Sequence, residues 1–297
     1  MSSSGSRTCT REQAGALVFG LRERMAGIPD RTRFLARRST ASRRVLPDFL
    51  IIGAQKSGTA FLRMSLAQHP AITMAIKPEV HYFDWNSHRG IGWYRAHFPP
   101  RSARQRSLHR GEEFATGEKS PYYLFDPAVP VLVRAVLPEV KLIVLLRDPV
   151  ARAFSHYQQA TRRGQETLSF EDAVASELRQ GERRCAPADP RGRSFDYNRR
   201  SYIARGRYAE QLDRWLCHFD REQIHVTVSE RFFADPARAV CEIQQFVGLT
   251  PVVPENLRHS RRPYAPMSAA LRLQLHEIFA DDVGRLAKII GEDPGWW

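Results

Sequence analysis

The sequence predicts an α/β fold in which helices flank both faces of a parallel β-sheet. The first observation is a set of three short apolar runs, at residues 49–52, 142–146 and 224–228, which have the length and composition of buried strands. The second is that a segment of helical character follows each run. Strands that alternate with helices form parallel sheets, and the connecting helices cover both faces of such sheets.

Local signals place the elements of the first half. A helix is predicted over residues 59–68, and the proline at position 70 ends it because the residue before a proline avoids the helical conformation. Residues 78–98 are rich in aromatic side chains and are predicted to form a loop with a short helix. A second strand is predicted at residues 115–119. Pro149 opens the helix after the next strand, since proline is tolerated in the first helical turn.

The second half is predicted to contain further helices. Residues 206–219 place five apolar side chains on one helical face. Residues 235–246 begin with an aspartate that can cap the next helix, and the last helix covers residues 268–290. Residues 161–200 carry a run of charged side chains and are predicted to form a solvated excursion or a substrate loop.

The length of 297 residues suits one large α/β domain or two small ones, and 42% hydrophobic with 26% charged residues is ordinary for a globular protein. Residues 1–45 are rich in Ser, Thr and Arg and are predicted to be a flexible N-terminal extension. The folded domain is predicted over residues 46–297. We find no internal repeat.

The charge is strongly basic, at +13 with an isoelectric point near 10.1. Such a balance suits polyanionic partners: nucleic acid, a phosphate-rich cofactor or an acidic glycan. Only five of the 45 basic residues are lysines, however, and an arginine surplus of this size is equally explained by genome composition. Charge alone therefore selects no partner.

The cysteines and the apolar segments bear on location. Cys9, Cys185, Cys217 and Cys241 form no C-x-x-C pair and no zinc pattern, so we expect no metal and a reducing, cytoplasmic location. Cys217 and Cys241 lie in helical, apolar stretches and are predicted to be buried. No stretch approaches the roughly 20 apolar residues that span a bilayer, so no membrane anchor is expected.

The loop at residues 53–59, with the sequence GAQKSGT, joins the first strand to the first helix of the domain and resembles a phosphate-binding loop. Backbone N–H groups at a helix start hold anionic oxygens, and glycines let the backbone approach them closely. The loop is not a Walker A motif, because Lys56 precedes the second glycine. We therefore predict a P-loop-like sheet, with candidate cofactor ligands at Lys56, Ser57, Gly58, Thr59 and Ala60.

A second anion site is predicted where the strand at residues 142–146 ends. Arg147 follows directly, and open α/β sheets bind ligands at the carboxyl ends of their strands. Ser155 lies about two turns into the next helix. An arginine fork and a serine hydroxyl together can hold a terminal phosphate. An Arg147 paired with Asp148 and a surface Ser155 would explain the same residues equally well.

These motifs together resemble those of the sulfotransferases that use 3′-phosphoadenosine 5′-phosphosulfate (PAPS), specifically the heparan sulfate N- and 3-O-sulfotransferase branch. The K-x-G-T loop stands at residues 56–59, and the R-D-P-x-x-R-x-x-S-x-Y motif at residues 147–157. The segments EVHYFDW at residues 79–85 and EKSPYY at residues 118–123 are similar to blocks of the 3-O-sulfotransferases. The helix at residues 206–216 is similar to one in the same enzymes.

The resemblance runs from about residue 47 to residue 267 and implies a sulfotransferase domain over residues 46–297. The late loop of the family departs most: Arg262 keeps its arginine, whereas Ser260 and Arg261 stand in place of lysine and glycine. The cysteine hairpin and the N-terminal membrane anchor of the animal enzymes have no counterpart here. A soluble, bacterial-type relative is therefore expected.

The resemblance implies in-line transfer of the sulfuryl group. Glu79 is the implied base, since a glutamate is ordinarily ionised at neutral pH and can accept a proton. Lys56 is implied to neutralise the leaving 5′-phosphate, and Lys119 either does the same or places Glu79. His81 is implied to orient the acceptor or Glu79. The implied cofactor contacts outside the first loop are Arg147, Ser155 and Arg262.

PAPS is therefore the expected sulfuryl donor, without a metal and without nucleic acid as a partner. The acceptor is expected to be a hydroxyl or amine of a glycan, a glycosylated metabolite or another compound. The arginine-rich segments at residues 199–207 and 258–262 suit an acidic glycan. Four aromatic side chains suit sugar rings or, as is more common, belong to the core: Tyr82, Trp85, Trp93 and Tyr94.

Two other functions stay open at this point. In a P-loop nucleotide kinase, Asp148 would imitate the aspartate that binds Mg²⁺ after an apolar strand, although Arg147 intervenes and the loop lysine is misplaced. A non-catalytic polyanion-binding protein would show affinity for heparin or DNA that falls steeply with salt, and no turnover of PAPS.

Overall fold

The computed structural model describes residues 31–180, 201–255, 257 and 267–297. Residues 1–30 of the predicted extension, the predicted excursion after residue 180, and Arg262 lie outside the described residues. Among the described residues, no helix is both long and apolar enough to cross a membrane.

Five strands form a single parallel sheet in the order β2-β3-β1-β4-β5. Crossover connections link the strands, so the predicted parallel α/β fold is confirmed. The short strand β2 was not predicted, because only one of its three side chains is buried and no apolar run marks it. The strands are β1 (Phe49–Gly53), β2 (Ile72–Met74), β3 (Ala115–Lys119), β4 (Lys141–Leu146) and β5 (Ile224–Val228).

Helices connect the strands and cover the sheet. Short 3₁₀ turns stand at Ala41–Arg43, Ser87–Arg89, Ala204–Gly206 and Arg221–Gln223, and one π-helical turn at Tyr82–Asn86. The described α-helices are α1 (Arg31–Ser39), α2 (Thr59–Leu66), α3 (Ile91–Arg95), α4 (Arg101–His109), α5 (Val129–Val136), α6 (Pro149–Arg162), α7 (Phe170–Gln180), α8 (Tyr208–Leu216), α9 (Ser229–Ala234), α10 (Pro236–Phe246) and α11 (Ala269–Ile290).

The core lies on both faces of β1 and β4, because successive side chains of a strand point to opposite faces. On one face, Leu50 and Val144 pack with Trp215 of α8. On the other, Ile51 and Ile143 pack with side chains of α2 and α10. Full burial of one such apolar side chain contributes about 1.5–3 kcal/mol. The prediction of helices on both faces is confirmed.

Residues 31–45, which the sequence analysis assigns to the N-terminal extension, pack against the domain. Arg37 donates hydrogen bonds to the carbonyl oxygens of Ala96 and Phe98, each at 2.7 Å. Arg44 donates to the carbonyl of Phe98 at 2.9 Å, and Val45 is buried. The extension remains a prediction for residues 1–30, which the structure does not describe.

The predicted burial of Cys217 and Cys241 is wrong, since Cys217 is exposed and Cys241 is half-buried. Trp215 is fully buried on the inner face of α8. Two residues correspond to about 200° of helical rotation, so Cys217 points away from the core. Both cysteines are free thiols.

Candidate active site

The loop between β1 and α2 has a backbone shape that glycine makes possible. Gly58 precedes α2 with φ of 98°, a left-handed conformation that glycine adopts readily. A Cβ atom at this position would lie 2.6 Å from the Cζ of Phe233. Ser229, directly after β5, donates a hydrogen bond from its Oγ to the carbonyl of Ser57 at 2.7 Å. The loop is thus fixed between its neighbours.

The predicted ligands of this loop differ in accessibility. Thr59 is buried at the start of α2, whereas Ala60 is exposed. The Oγ of Ser57 is buried and has no hydrogen-bond partner among the described residues. Lys56 has a positive φ of 75° and is half-buried. Ser57 and Lys56 therefore offer side-chain donors that no described residue accepts.

Positive charge is concentrated around Lys56. Burial, followed by the charges of Arg162, Arg163, Arg147 and Arg152, lowers the pKa of Lys56 to about 8. No carboxylate of the described residues forms an ion pair with Lys56 or Arg147. Like charges held together without counter-charges favour an anionic ligand of several charges.

The second predicted anion site adjoins the first. Arg147 directly follows β4, and its Nη1 atom donates to the carbonyl of Lys56 at 3.3 Å. Ser155 is buried in α6. Asp148 does not pair with Arg147, because its carboxylate caps α6 by accepting from the amide of Val150 at 2.9 Å. The structure therefore brings Arg147 and the Lys56 loop together.

Arg152 and Arg205 add charge that the sequence analysis did not assign. Arg152, a fixed position of the second motif, is fully buried and donates to the carbonyl of Tyr202. Its Nε and Nη1 atoms have no partner among the described residues, and burial lowers its pKa to about 10. Arg205 lies 4.9 Å from the ring centre of Tyr122 and donates to the side chain of Gln55.

The third cluster consists of the predicted catalytic residues Glu79, His81 and Lys119 together with their neighbour Asp84. The Nζ of Lys119 donates to Oε1 of Glu79 at 2.5 Å. The imidazole of His81 lies between two carboxylates, with Nε2 at 3.1 Å from Oε2 of Glu79 and Nδ1 at 2.6 Å from Oδ2 of Asp84. Three of the four predicted catalytic residues, Glu79, His81 and Lys119, are therefore in direct contact.

These contacts set the charges of the cluster. Burial acts to raise the pKa of Glu79, but the hydrogen bond from His81 and the charge of Lys119 outweigh it and lower that pKa to about 2. Burial acts to lower the pKa of His81, but its bonds to Asp84 and Glu79 raise it to about 9. At neutral pH, Glu79 is an anion and His81 a cation that donates through both nitrogens. The Glu79 side chain stays 41% exposed.

The aromatic side chains divide between core and surface. Tyr82, Trp93 and Tyr94 are buried, so the core interpretation holds for them. Trp85 is 44% exposed and stacks on the imidazole of His81, with ring centres 3.9 Å apart and planes inclined by 12°. Of the four, Trp85 is thus the ring that offers a face beside Glu79.

Two contacts link this cluster to the phosphate loop. The Trp85 ring lies 5.6 Å from that of Tyr122. Arg205 lies over the Tyr122 ring and donates a hydrogen bond to the side chain of Gln55 in the loop. Lys119 also pairs with Ile51 across β3 and β1, which run parallel, so the loop after β1 and the residues after β3 lie at the same edge of the sheet. No group of three or more potential metal ligands occurs in the described part of the chain.

The chain matches known proteins over most of its length. The sulfotransferase domain family matches residues 46–264. Human heparan sulfate glucosamine 3-O-sulfotransferase 6 is 31% identical over 283 residues, which are 87% of this chain and 76% of the human protein. The mouse 3-O-sulfotransferase 3B1 is 34% identical over 217 residues, 72% of this chain and 49% of its own length.

Two further similarities come from other kinds of organism. A bifunctional heparan sulfate N-deacetylase/N-sulfotransferase of Drosophila melanogaster is 30% identical over 70% of this chain, which spans only 20% of the fly protein. The crystal structure of a sulfotransferase from Alicyclobacillus acidocaldarius is 33% identical and superposes with a TM-score of 0.63, covering 85% of this chain and 99% of the bacterial one. The predicted family is confirmed: the chain belongs to the sulfotransferase family.

Proposed function

We propose that the protein transfers a sulfuryl group from PAPS to a hydroxyl or amine of a sugar-containing acceptor. The observation that carries the proposal is the ionised, partly exposed carboxylate of Glu79 at the same sheet edge as the cationic loop. Sulfuryl transfer, like phosphoryl transfer, depends mainly on positioning and electrostatic stabilisation. Glu79, held in place as a base for the acceptor, would supply the positioning. Lys56 and Arg147, which have no carboxylate partner among the described residues, would supply the electrostatic stabilisation.

The cationic residues fit the donor. PAPS carries three anionic groups: the 3′-phosphate, the 5′-phosphate and the activated sulfuryl group bonded to the 5′-phosphate. Lys56 and the free Ser57 hydroxyl would hold the 5′-phosphosulfate, with Gly58, Thr59 and Ala60 providing the start of α2. Arg147 and Ser155 would hold the 3′-phosphate, and the buried Arg152 would add charge behind them. Arg262 lies outside the described residues, and its contact with PAPS stays a prediction.

The reaction proposed for these residues is an in-line displacement. Glu79 takes the proton of the acceptor hydroxyl or amine, and the freed electron pair forms the new bond to sulfur. The bond between sulfur and the bridging oxygen breaks opposite to it, and Lys56 neutralises the charge that develops on the 5′-phosphate. The products are the sulfated acceptor and adenosine 3′,5′-bisphosphate (PAP).

The contacts of Lys119 and His81 support placing roles. Lys119 and His81 each donate to a different oxygen of Glu79, so the carboxylate has both a fixed position and a fixed charge. If Lys119 bound the leaving phosphate instead, Glu79 would lose a partner that lowers its pKa and would be a stronger base. Asp84 holds the other nitrogen of His81, which orients the imidazole.

A glycan or a glycosylated metabolite is the proposed acceptor. The human, mouse and fly relatives act, by their names, on heparan sulfate, although this chain spans 76%, 49% and 20% of their lengths. The exposed face of Trp85 beside Glu79 suits a sugar ring. The free thiols of Cys217 and Cys241 fit the predicted reducing cytoplasm. A nucleic-acid partner remains unexpected.

The kinase alternative is less well supported. Asp148 uses Oδ1 to cap α6, and its Oδ2 lies 3.8 Å from Arg272. Both oxygens therefore already have partners at the position where a kinase would bind Mg²⁺. A non-catalytic polyanion-binding protein would need the surface charge but not an ionised Glu79 held by Lys119 and His81.

The test is incubation with radiolabelled PAPS and acceptors of three classes: glucosamine-containing oligosaccharides, simple glycosides and phenols. We expect label to move to a sugar acceptor, with release of PAP. A thermal-shift assay provides the matching control, because a ligand that binds only the native state raises the melting temperature. PAP should do so much more than ADP. Equal shifts, or no turnover with any acceptor class, would reject the proposal.

A further inference from the structure

Next to Lys119 of the cluster with Glu79 and His81, strand β3 carries a buried carboxylate that has no cationic partner among the described residues. Glu118 of β3 is fully buried, and three hydroxyl groups donate to it. Tyr94 and Tyr123 donate to Oε1 at 2.8 and 3.0 Å, and Ser120 donates to Oε2 at 3.0 Å. No ion pair of Glu118 occurs among the described residues. Burying a carboxylate in this way is costly, and apolar packing alone would not require it.

Two of these hydroxyls also accept hydrogen bonds from the segment that carries His81. Ser120 Oγ accepts from the amide of His81 at 3.0 Å. Tyr123 Oη accepts from the amides of Tyr82 and Phe83 at 2.8 and 3.3 Å. The amides of residues 81–83 thus donate hydrogen bonds to two hydroxyls, and both hydroxyls donate to Glu118. The Tyr94 hydroxyl donates to the same carboxylate oxygen as the Tyr123 hydroxyl but forms no hydrogen bond with these amides.

The segment needs such support because its backbone is unusual. His81 has φ of 54°, in the left-handed region that a residue with a side chain avoids by about 1–2 kcal/mol. Directly after it comes the π-helical turn at Tyr82–Asn86. The left-handed residue places the imidazole between Glu79 and Asp84, so its position depends on how these three amides are held.

We propose that Glu118 is a positioning residue: it orders the hydroxyls of Ser120 and Tyr123, and they hold His81 in the conformation that aligns Glu79. An ionised carboxylate only accepts hydrogen bonds. Each hydroxyl must therefore donate its hydrogen bond to Glu118, which leaves its lone pairs to accept hydrogen bonds from the amides. The catalytic part of this inference rests on the proposed function.

The ionisation of Glu118 gives the network a pH dependence. Burial, the largest cause, raises the pKa of Glu118 to about 7, against the hydrogen bonds of its three hydroxyl partners. The other charged groups that face it are Asp84, which raises this pKa, and Lys77. A protonated Glu118 would itself donate a hydrogen bond, so one of the three hydroxyls would have to accept from Glu118 instead of donating to it. The turnover rate should fall as the pH falls through about 7.

A matched pair of variants tests the proposal. Tyr94 and Tyr123 are both fully buried phenols on the same oxygen of Glu118. The Tyr94 ring packs against Tyr82 and Phe83, but of the two phenols only Tyr123 accepts hydrogen bonds from the amides of the His81 segment. Tyr123→Phe should lower kcat by about 10²-fold, the cost of misplacing a catalytic group by about 1 Å, and speed hydrogen exchange of the Tyr82 and Phe83 amides. The bond from Tyr94 lowers the pKa of Glu118, so the variants are compared above pH 8, where Glu118 is ionised. There Tyr94→Phe should keep kcat within about threefold of the parent, because the amides keep their acceptors.

Further measurements separate positioning from general stability. PAP affinity should match the parent in both tyrosine variants, and Ser120→Ala should resemble Tyr123→Phe with faster exchange at His81. Glu118→Gln should lower kcat and remove its decline between pH 8 and 6. Equal kcat losses for Tyr94→Phe and Tyr123→Phe, or unchanged exchange at residues 81–83, would overturn the inference. If the parent transfers no sulfuryl group, the proposed function fails, and hydrogen exchange alone decides the network.

Discussion

Lys119 and Glu79 meet from two different parts of the chain, with the lysine Nζ at 2.5 Å from the glutamate Oε1. Lys119 ends β3, and Glu79 stands in the connection that leaves β2. Because Lys119 is also paired with β1 across the sheet, this contact places the carboxylate relative to the loop that begins where β1 ends. The electrostatics of the cluster therefore depend on the sheet.

Replacing Glu79 with glutamine should remove proton acceptance while preserving shape. The turnover rate should fall by roughly 10²–10⁴-fold, the usual contribution of general base catalysis. PAP affinity, measured by calorimetry, should be unchanged because the anion ligands lie in the loop and in α6. A Glu79 that only positions the acceptor would instead raise the acceptor KM and leave most of kcat. Full activity in a folded Glu79→Gln protein would remove it from the mechanism.

Arg147→Ala should weaken PAP binding by about 1.5–3 kcal/mol, the range for a hydrogen bond to a charged group, or roughly 10–150-fold in Kd. Arg147 has no carboxylate partner in the described residues to compensate for the lost ligand. Arg238→Ala is the matched control, because Arg238 pairs on the surface with Glu242 at 2.8 Å. It removes the same charge from a side chain that is 77% exposed. Equal weakening in both variants would mean that net charge, and not Arg147, drives binding.

The sheet could be predicted from the sequence because burial leaves a local mark. Strand β4 is apolar from Leu142 to Leu146, and all five of those side chains are buried. Strand β2 leaves no such mark, since Thr73 is exposed and the strand has three residues. The packing of residues 31–45 against the domain could not be predicted from the sequence either, because Arg37 and Arg44 donate to carbonyl oxygens more than 50 residues away. A long arginine chain that bonds to a distant backbone produces no periodic pattern.

The candidate site could be predicted only in part. The two phosphate motifs follow from residue types at strand ends, whereas the roles of Glu79 and Lys119 came from the family resemblance. The contact of His81 with Asp84 depends on a left-handed backbone that residue types do not reveal. The network around Glu118 depends on a fold in which β3 lies beneath the aromatic loop, and spacing along the chain does not show it.

Gly58→Ala should destabilise the protein by more than a left-handed alanine alone would cost. Gly58 has φ of 98°, and an added Cβ would also lie 2.6 Å from the Phe233 ring. Strained conformations of this kind cost about 1–3 kcal/mol. Gly111→Ala is the control, since Gly111 has φ of 71° with nothing within 4 Å of its added Cβ. Denaturant titration should show the larger loss for Gly58→Ala, and equal losses would contradict a close contact with Phe233.

The stability contributed by His81 should depend on pH with a definite sign. Its pKa is raised from 6.5 to about 9 by the bonds to Asp84 and Glu79, against the effect of burial. A group whose folded-state pKa is raised stabilises the fold fully below its unfolded pKa and loses that contribution as the pH rises through the folded pKa. Glu79, with its pKa near 2, stays ionised throughout this range.

The measurement is the difference in melting temperature between the parent and His81→Gln at pH 6 and pH 9.5. We expect the parent's advantage to be largest at pH 6 and to shrink toward pH 9.5, as His81 loses its proton and its charge. His225→Gln is the control of opposite sign, because burial lowers the pKa of His225. A neutral buried histidine destabilises the fold as the pH falls below 6.5, so that variant should gain on the parent in acid. A parent advantage for His81 that is constant from pH 6 to 9.5 would show that the imidazole carries no proton between the two carboxylates.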